Sequence, residues 1–229
     1  MVNLTPEAIL KKIYRTYSSF YDIKLKGGIV YNCRRILQIV DIQHDHFEGQ
    51  DHFPEDIEAT FVLMNPGGAK PINNNYSIPT VPKSSINTLA QEKMTLTSPD
   101  KAQYQVMRLM QLQGWKKVQV INLSDIKAPK SKDFFVKVEE FERMYHDIHS
   151  IFSLKRKAEL DQVLGYCETG PTILAWGTDY RLTGLAVRAI KVMPNRNIQG
   201  LATNLYYHAS PHRHEDKLRW LTQMNSIKM

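Results

Sequence analysis

Four short apolar runs from residue 59 onward constrain the fold more than any other feature of the chain. They are Thr60-Phe61-Val62-Leu63-Met64, Val118-Gln119-Val120-Ile121, Thr172-Ile173-Leu174-Ala175-Trp176 and the segment from Leu201 to Tyr207. Continuous runs of this length mark strands buried on both faces. The segments between them carry helical periodicity. After Ser98-Pro99-Asp100, residues Ala102, Val106, Leu109 and Met110 share one face, and Gly114 ends the helix. From Asp133 onward, Phe134, Val138, Phe141, Tyr145, Ile148 and Phe152 repeat at helical spacing, which reads as a core stripe. Leu160, Val163 and Leu164 mark a short helix, another runs to about Lys191, and a last one spans Glu215 to Met224. This alternation predicts a three-layer α/β fold: a central, mostly parallel sheet of about four strands with helices on both faces.

Upstream, Thr5-Pro6 reads as a helix start, with the helix predicted to about Tyr21. Ile29, Tyr31 and Cys33 alternate and Ile36 to Ile42 is apolar-rich, which predicts one or two strands. His44 to Glu58 is polar and reads as a loop. Residues 1–58 are thus expected to form a helix-and-strand arm packed on a main domain of residues 59–229. Asn65 to Thr97 is rich in Asn, Pro, Gly and Ser and reads as a long loop, a feature often tied to function in compact domains.

Composition narrows the classes. A chain of 229 residues that is 42% hydrophobic can bury a core without disulfides or metals. No apolar run approaches the roughly 18 residues of a membrane span, so no membrane partner is expected. Met1-Val2-Asn3-Leu4-Thr5-Pro6 lacks a basic stretch followed by an apolar core, so no signal peptide is expected. Cys33 and Cys167 sit in no metal or redox motif, which suits a reduced, cytoplasmic compartment. The net charge of +7 favours polyanionic partners, although the basic residues are dispersed. Their densest cluster, Lys155-Arg156-Lys157, reads as a solvated helix start.

The chemistry is expected where the runs end. The signatures there are Asn65-Pro66-Gly67-Gly68, Asn122-Leu123-Ser124-Asp125, Gly177-Thr178-Asp179 and His208-Ala209-Ser210-Pro211. In a parallel sheet the carboxyl ends of the strands lie along one edge, and ligands bind in the crevice there. Each signature alone also reads as a turn, a cap or a structural histidine. Together they predict that Asn65, Asn122, Trp176 and His208 approach one another. His44, Asp45, His46, Asp51 and His52 fit no closed metal site and read as a solvated loop, while His146 and His149 read as surface residues. No metal and no cofactor is implied. GxSxG, P-loop and GxGxxG motifs are absent.

The ordered strand ends resemble the uracil-DNA glycosylase superfamily. Phe61-Val62-Leu63-Met64-Asn65-Pro66-Gly67 is similar to the first motif of its mismatch-specific branch. Gly114-Trp115 with Val118-Gln119-Val120-Ile121-Asn122 is similar to the strand that ends in a base-reading Asn. Ile173-Leu174-Ala175-Trp176-Gly177 resembles the third strand, and His208-Ala209-Ser210-Pro211 the His-Pro-Ser-Pro motif. The same order also resembles a bacterial family known only as a domain of unknown function, which pairs Leu-Asn-Pro-Ser with a later Asn-Leu and Trp-Gly. The matches span about residues 59 to 220.

The resemblance implies a glycosylase-like fold and a pocket for a nucleobase or nucleotide, with DNA, RNA or a nucleotide as partner. It implies that Asn65 positions the hydrolytic water and that His208 stabilises charge on the departing base. Asn122 would read the base edge, with Pro66, Gly67, Gly68, Trp176 and Ser210 around it. Tyr76, in the loop after the first strand, is a stacking candidate by position only, and equally a plain surface tyrosine. His212-Arg213-His214 stands where the family carries an apolar wedge, and its basic side chains suit a phosphate. Two functions follow: hydrolysis of an N-glycosidic bond, or non-catalytic binding of a nucleotide or nucleic acid. An unrelated small-molecule enzyme on the same scaffold is a third.

Overall fold

The structure is a computed structural model that describes residues 4–25, 28–45, 56–82, 93–194, 197–202 and 205–227. Helix α1 (Glu7–Ile13) leads into two long strands, β1 (Tyr14–Lys24) and β2 (Val30–Asp41). Strand β3 (Ala59–Leu63) follows, then the short β4 (Lys70–Pro71), β5 (Thr80–Val81) and β6 (Thr95–Ser98). Next come α2 (Lys101–Gln113), β7 (Lys117–Asn122), α3 (Ser131–Tyr145) and α4 (Lys157–Gly165). The chain closes with β8 (Thr172–Leu174), α5 (Thr183–Val192), β9 (Ile198–Gln199) and α6 (His214–Ser226).

The strands form one sheet in the order β4-β6-β1-β2-β7-β3-β8-β9, with β5 added alongside β1. Strands β7, β3, β8 and β9 run parallel to one another. Strand β2 pairs antiparallel with β7, and β1 antiparallel with β2. The fold is therefore mixed α/β. The expected sheet of about four strands is corrected to nine among the described residues, and this antiparallel wing departs from the glycosylase-like fold that the motifs implied. The wing is built on residues 14–41, with β4, β5 and β6 added outside β1.

Strand alternation sends side chains to two cores. Ala59, Phe61 and Leu63 of β3 and Val118 and Val120 of β7 pack with Leu10 of α1, Met107 and Met110 of α2, and Trp220 and Leu221 of α6. Val62 and Ile121 face the other layer, where Phe134 and Phe141 of α3, Leu160 and Val163 of α4, and Ala186 and Ala189 of α5 close the core.

Several boundaries differ from expectation. The first helix ends at Ile13 rather than Tyr21, and Tyr14 onward is strand. Leu10, Tyr14, Tyr17 and Tyr21 fall at helical spacing, yet the aromatic and hydroxyl residues between them suit a pleated, half-buried strand. Helix α3 ends at Tyr145, where His146 takes a positive φ of 57°, and Ile148 and Phe152 reach the core from turns. The fourth expected strand, Leu201 to Tyr207, is replaced by β9 and two bridges, Gly177 to Tyr206 and Ala202 to Tyr206. Gly200, at a φ of 152°, turns the chain between them. Of the His/Asp stretch, His46, Asp51 and His52 lie outside the described residues.

Two charged positions expected at the surface are buried. Arg156 is 1% exposed and its guanidinium binds Asp125 and Glu159, each at 2.8 Å. Arg35 of β2 also pairs with Glu159, and the Tyr21 hydroxyl donates to Asp125 at 2.7 Å. One balanced cluster thus ties β1, β2, α4 and the segment after β7 together. His149 is fully buried, with Nδ1 2.8 Å from Ser124 Oγ and Nε2 3.0 Å from Glu142. Among the described residues no helix is long and apolar enough to cross a membrane, and no group of three or more His, Cys, Asp or Glu side chains could hold a metal.

Two stability measurements check this packing. Arg156→Leu leaves two buried carboxylates short of their cation, and should cost about 3–5 kcal/mol in urea unfolding. The Glu142 carboxyl loses solvation by burial, but hydrogen bonds from His149 and Arg188 outweigh this and hold its pKa at about 2. A depressed carboxyl stabilises above its unfolded value and loses that contribution as pH falls through the folded one. Wild type should therefore lose about 2 kcal/mol between pH 4.5 and 2 that Glu142→Gln does not lose, after allowance for its partial exposure.

Candidate functional site

A cleft of about 460 Å³ opens at the carboxyl ends of β3 and β8. Asn65, Gly67 and Gly68 form one wall, and Trp176, Gly177, His208, Ser210 and His212 form the other. The start of α2 closes one side with Asp100 and Lys101. Parallel pairing of β3 with β8 carries Asn65 and Trp176 to the same edge. The bridge between Gly177 and Tyr206 then returns the chain so that His208 stands beside Gly177.

The first wall is built by a backbone turn. Gly67 takes a φ of +62°, and a β-carbon there would lie 2.4 Å from an Asp100 carboxylate oxygen. Asp100 is the N-cap of α2: its Oδ1 accepts from the Ala102 N–H at 2.9 Å, while the Gln103 side chain accepts from its own N–H at 2.6 Å. Its other oxygen accepts from the Gly68 N–H at 3.3 Å. The glycine pair thus lets the loop close onto a helix-capping carboxylate that also lines the cleft. In the sequence, Asp100 shows only as a helix start. The side-chain amide of Asn65 donates to the Ala128 carbonyl at 2.7 Å, which leaves its oxygen as the group open to a ligand or water.

The second wall carries His208. Its Nδ1 accepts the Ser210 N–H at 3.1 Å. A nitrogen that accepts a hydrogen bond carries no proton, so the neutral ring holds its proton on Nε2. Burial lowers the pKa of His208 and outweighs the opposing effects of hydrogen bonding to the Ser210 backbone and of Asp100, while His212 adds to the lowering. The ring is therefore a neutral N–H donor at neutral pH. Trp176 is fully buried, stands edge-on to Tyr206 at 5.3 Å, and has no hydrogen-bond partner for its Nε1–H among the described residues.

Four of the residues singled out by sequence lie outside the cleft lining. Asn122 is fully buried one strand away, and neither atom of its amide has a hydrogen-bond partner among the described residues. Pro66 is buried under the loop, and Arg213 is exposed at the start of α6. Tyr76 donates to the Lys93 carbonyl at 3.2 Å and stands 6.3 Å from the Phe20 ring. Sequence reasoning missed Asp100, Lys101 and Lys217, which all line the cleft.

Backbone geometry at the first wall gives a paired test. Gly67→Ala forces a side chain into a left-handed conformation and into Asp100, and should lower stability by about 1–2 kcal/mol. Gly68→Ala meets open space and should leave urea unfolding nearly unchanged. No family model matches the chain, and neither does any curated protein or solved structure.

Proposed function

We propose that the cleft binds a nucleobase or nucleotide and that its walls favour hydrolysis of an N-glycosidic bond. The observation that carries this reading is His208: its Nδ1 accepts the Ser210 N–H, so the neutral ring carries its proton on Nε2, and the ring lines the cleft together with Asn65. Cleavage of an N-glycosidic bond leaves negative charge on the departing base. A preorganised neutral donor stabilises that charge without first giving up its own proton. The Asn65 oxygen, with its amide nitrogen held by Ala128, is oriented to accept from a water. Asp100 supplies a carboxylate on the same side. The likeness of the strand-end motifs to the uracil-DNA glycosylase superfamily supports the same reading, through residue types rather than through the fold.

A second reading is non-catalytic binding of a nucleotide or nucleic acid in the same cleft. Lys101 and Lys217 in the lining favour it, because cations there attract phosphates. So does the burial of Asn122 away from the lining, which removes a base-reading side chain from the pocket.

Release of free base from uracil- and hypoxanthine-containing oligonucleotides, single- and double-stranded, separates the two. Under the catalytic reading, His208→Ala lowers the rate on the order of a hundredfold to a thousandfold with little change in substrate affinity. Binding without base release by the wild-type protein would overturn the catalytic reading and leave the second. Absence of both would overturn both.

A further inference from the structure

Arg34 and Arg35 are consecutive, yet they serve opposite layers of the sheet. Ser18 pairs with Leu37 and Phe20 with Arg34, so three steps along β2 match two along β1. This bulge places an extra residue in β2. Past it, Tyr21 and Cys33 face the α4 layer, while Phe20 and its partner Arg34 face the α2 layer. Arg35 meets Glu159. Arg34 meets no such partner. It is fully buried, and none of its three guanidinium nitrogens has a hydrogen-bond partner among the described residues. Burial brings its pKa down to about 10, and Asp100 and Asp125 act against that without forming an ion pair to it.

A second cation stands close by. The Lys127 ammonium lies 4.8 Å over the ring of Phe20, the cross-strand partner of Arg34. Burial, then Arg34, then Lys70 bring its pKa down to about 8, with Asp22 and Cys33 opposing. Its ammonium has no carboxylate partner among the described residues. Asn122 is the last residue of β7, the strand next to β2. It alternates with Ile121, so it shares the face of Val120 and of Arg34. Its amide is buried, with neither atom partnered among the described residues.

A buried guanidinium without hydrogen-bond partners, a half-buried ammonium that repels it and a buried, unpaired amide on the same face form a costly arrangement. One group relieves all of them together: a compact oxyanion that accepts from the guanidinium fork, the ammonium and the amide. We propose that Arg34, Lys127 and Asn122 form a binding site for a phosphate-class oxyanion, either free phosphate or the phosphate of a nucleotide. The site borders the cleft: Asn122 pairs with Leu63, and both Leu63 and Asp100 line the cleft. With inorganic phosphate the site stands by itself, and with a nucleotide it rests on the reading of the cleft given above.

Calorimetric titration of the full chain tests it, with inorganic phosphate, deoxyuridine monophosphate, deoxyuridine and free uracil as separate probes. Wild type should bind phosphate saturably. Arg34→Met and Lys127→Met should each weaken it by about 10- to 100-fold, the loss of a charge-assisted hydrogen bond. Without phosphate, Arg34→Met should melt at or above the wild-type temperature, because it removes an unpaired buried charge. If that variant does not fold, Arg34→Lys keeps the charge, loses the fork, and should still weaken phosphate. Tighter binding of the monophosphate than of phosphate assigns the site to a nucleotide, and equal binding assigns it to the free anion. No phosphate or monophosphate binding by wild type, or binding that Arg34→Met leaves unchanged, overturns the site. Uracil binding without phosphate binding overturns this site and leaves the cleft reading standing. Phosphate binding without uracil or deoxyuridine binding does the reverse.

Discussion

Arg156 holds the sheet's two halves together from inside. Its guanidinium bridges Asp125, just past the end of β7, to Glu159 on α4, and Glu159 reaches back to Arg35 on β2. Tyr21 on β1 closes the set through Asp125. Two arginines face two carboxylates, so the charges balance where no water screens them. Such a cluster adds little net stability over an apolar core, but it is intolerant of losing a member. It also favours one geometry, because the Arg35–Glu159 and Tyr21–Asp125 contacts form only with the antiparallel wing docked on the parallel strands. The register of β2 against β7 follows, and with it the position of Arg34 and Asn122 beside the strand ends.

The parallel half was legible from sequence because its strands are buried on both faces. Phe61-Val62-Leu63 and Ile173-Leu174 are continuous apolar runs, only Gln119 interrupts Val118 to Ile121, and their short length with Gly, Pro or Asn close by suits buried strands. The wing was not legible in the same way. Tyr14, Tyr17 and Tyr21 satisfy a helical period and a strand at once, and no Gly or Pro marks the end of α1. The buried charges were hidden for a different reason. Arg156 stands between two lysines, and His149 between Ile148 and Ser150 with no partner beside it in sequence, so neither shows its buried role until its distant partner is in place. Asn65, Trp176 and His208 were readable as strand ends that meet. Asp100 was readable only as a cap, since its second role depends on where the Gly67 turn lands.

The cleft and the buried cluster share a logic. Arg35 and Arg156 form ion pairs within the fold, whereas Arg34 and Lys127 form none among the described residues. On the cleft wall, His208 carries its proton on Nε2 because its other nitrogen accepts from the Ser210 amide. The fold thus spends its internal partners on positions that set architecture. It leaves donors unpaired along one edge of the sheet, where a ligand rich in acceptors would complete them.

A crystal structure of the protein soaked with deoxyuridine monophosphate tests this account most directly. The account predicts a base in the cleft, with an acceptor atom within hydrogen-bond distance of His208 Nε2 and the Asn65 amide oxygen facing the ligand. A cleft that holds only solvent while the nucleotide binds elsewhere, or a His208 ring whose proton sits on Nδ1, would contradict it.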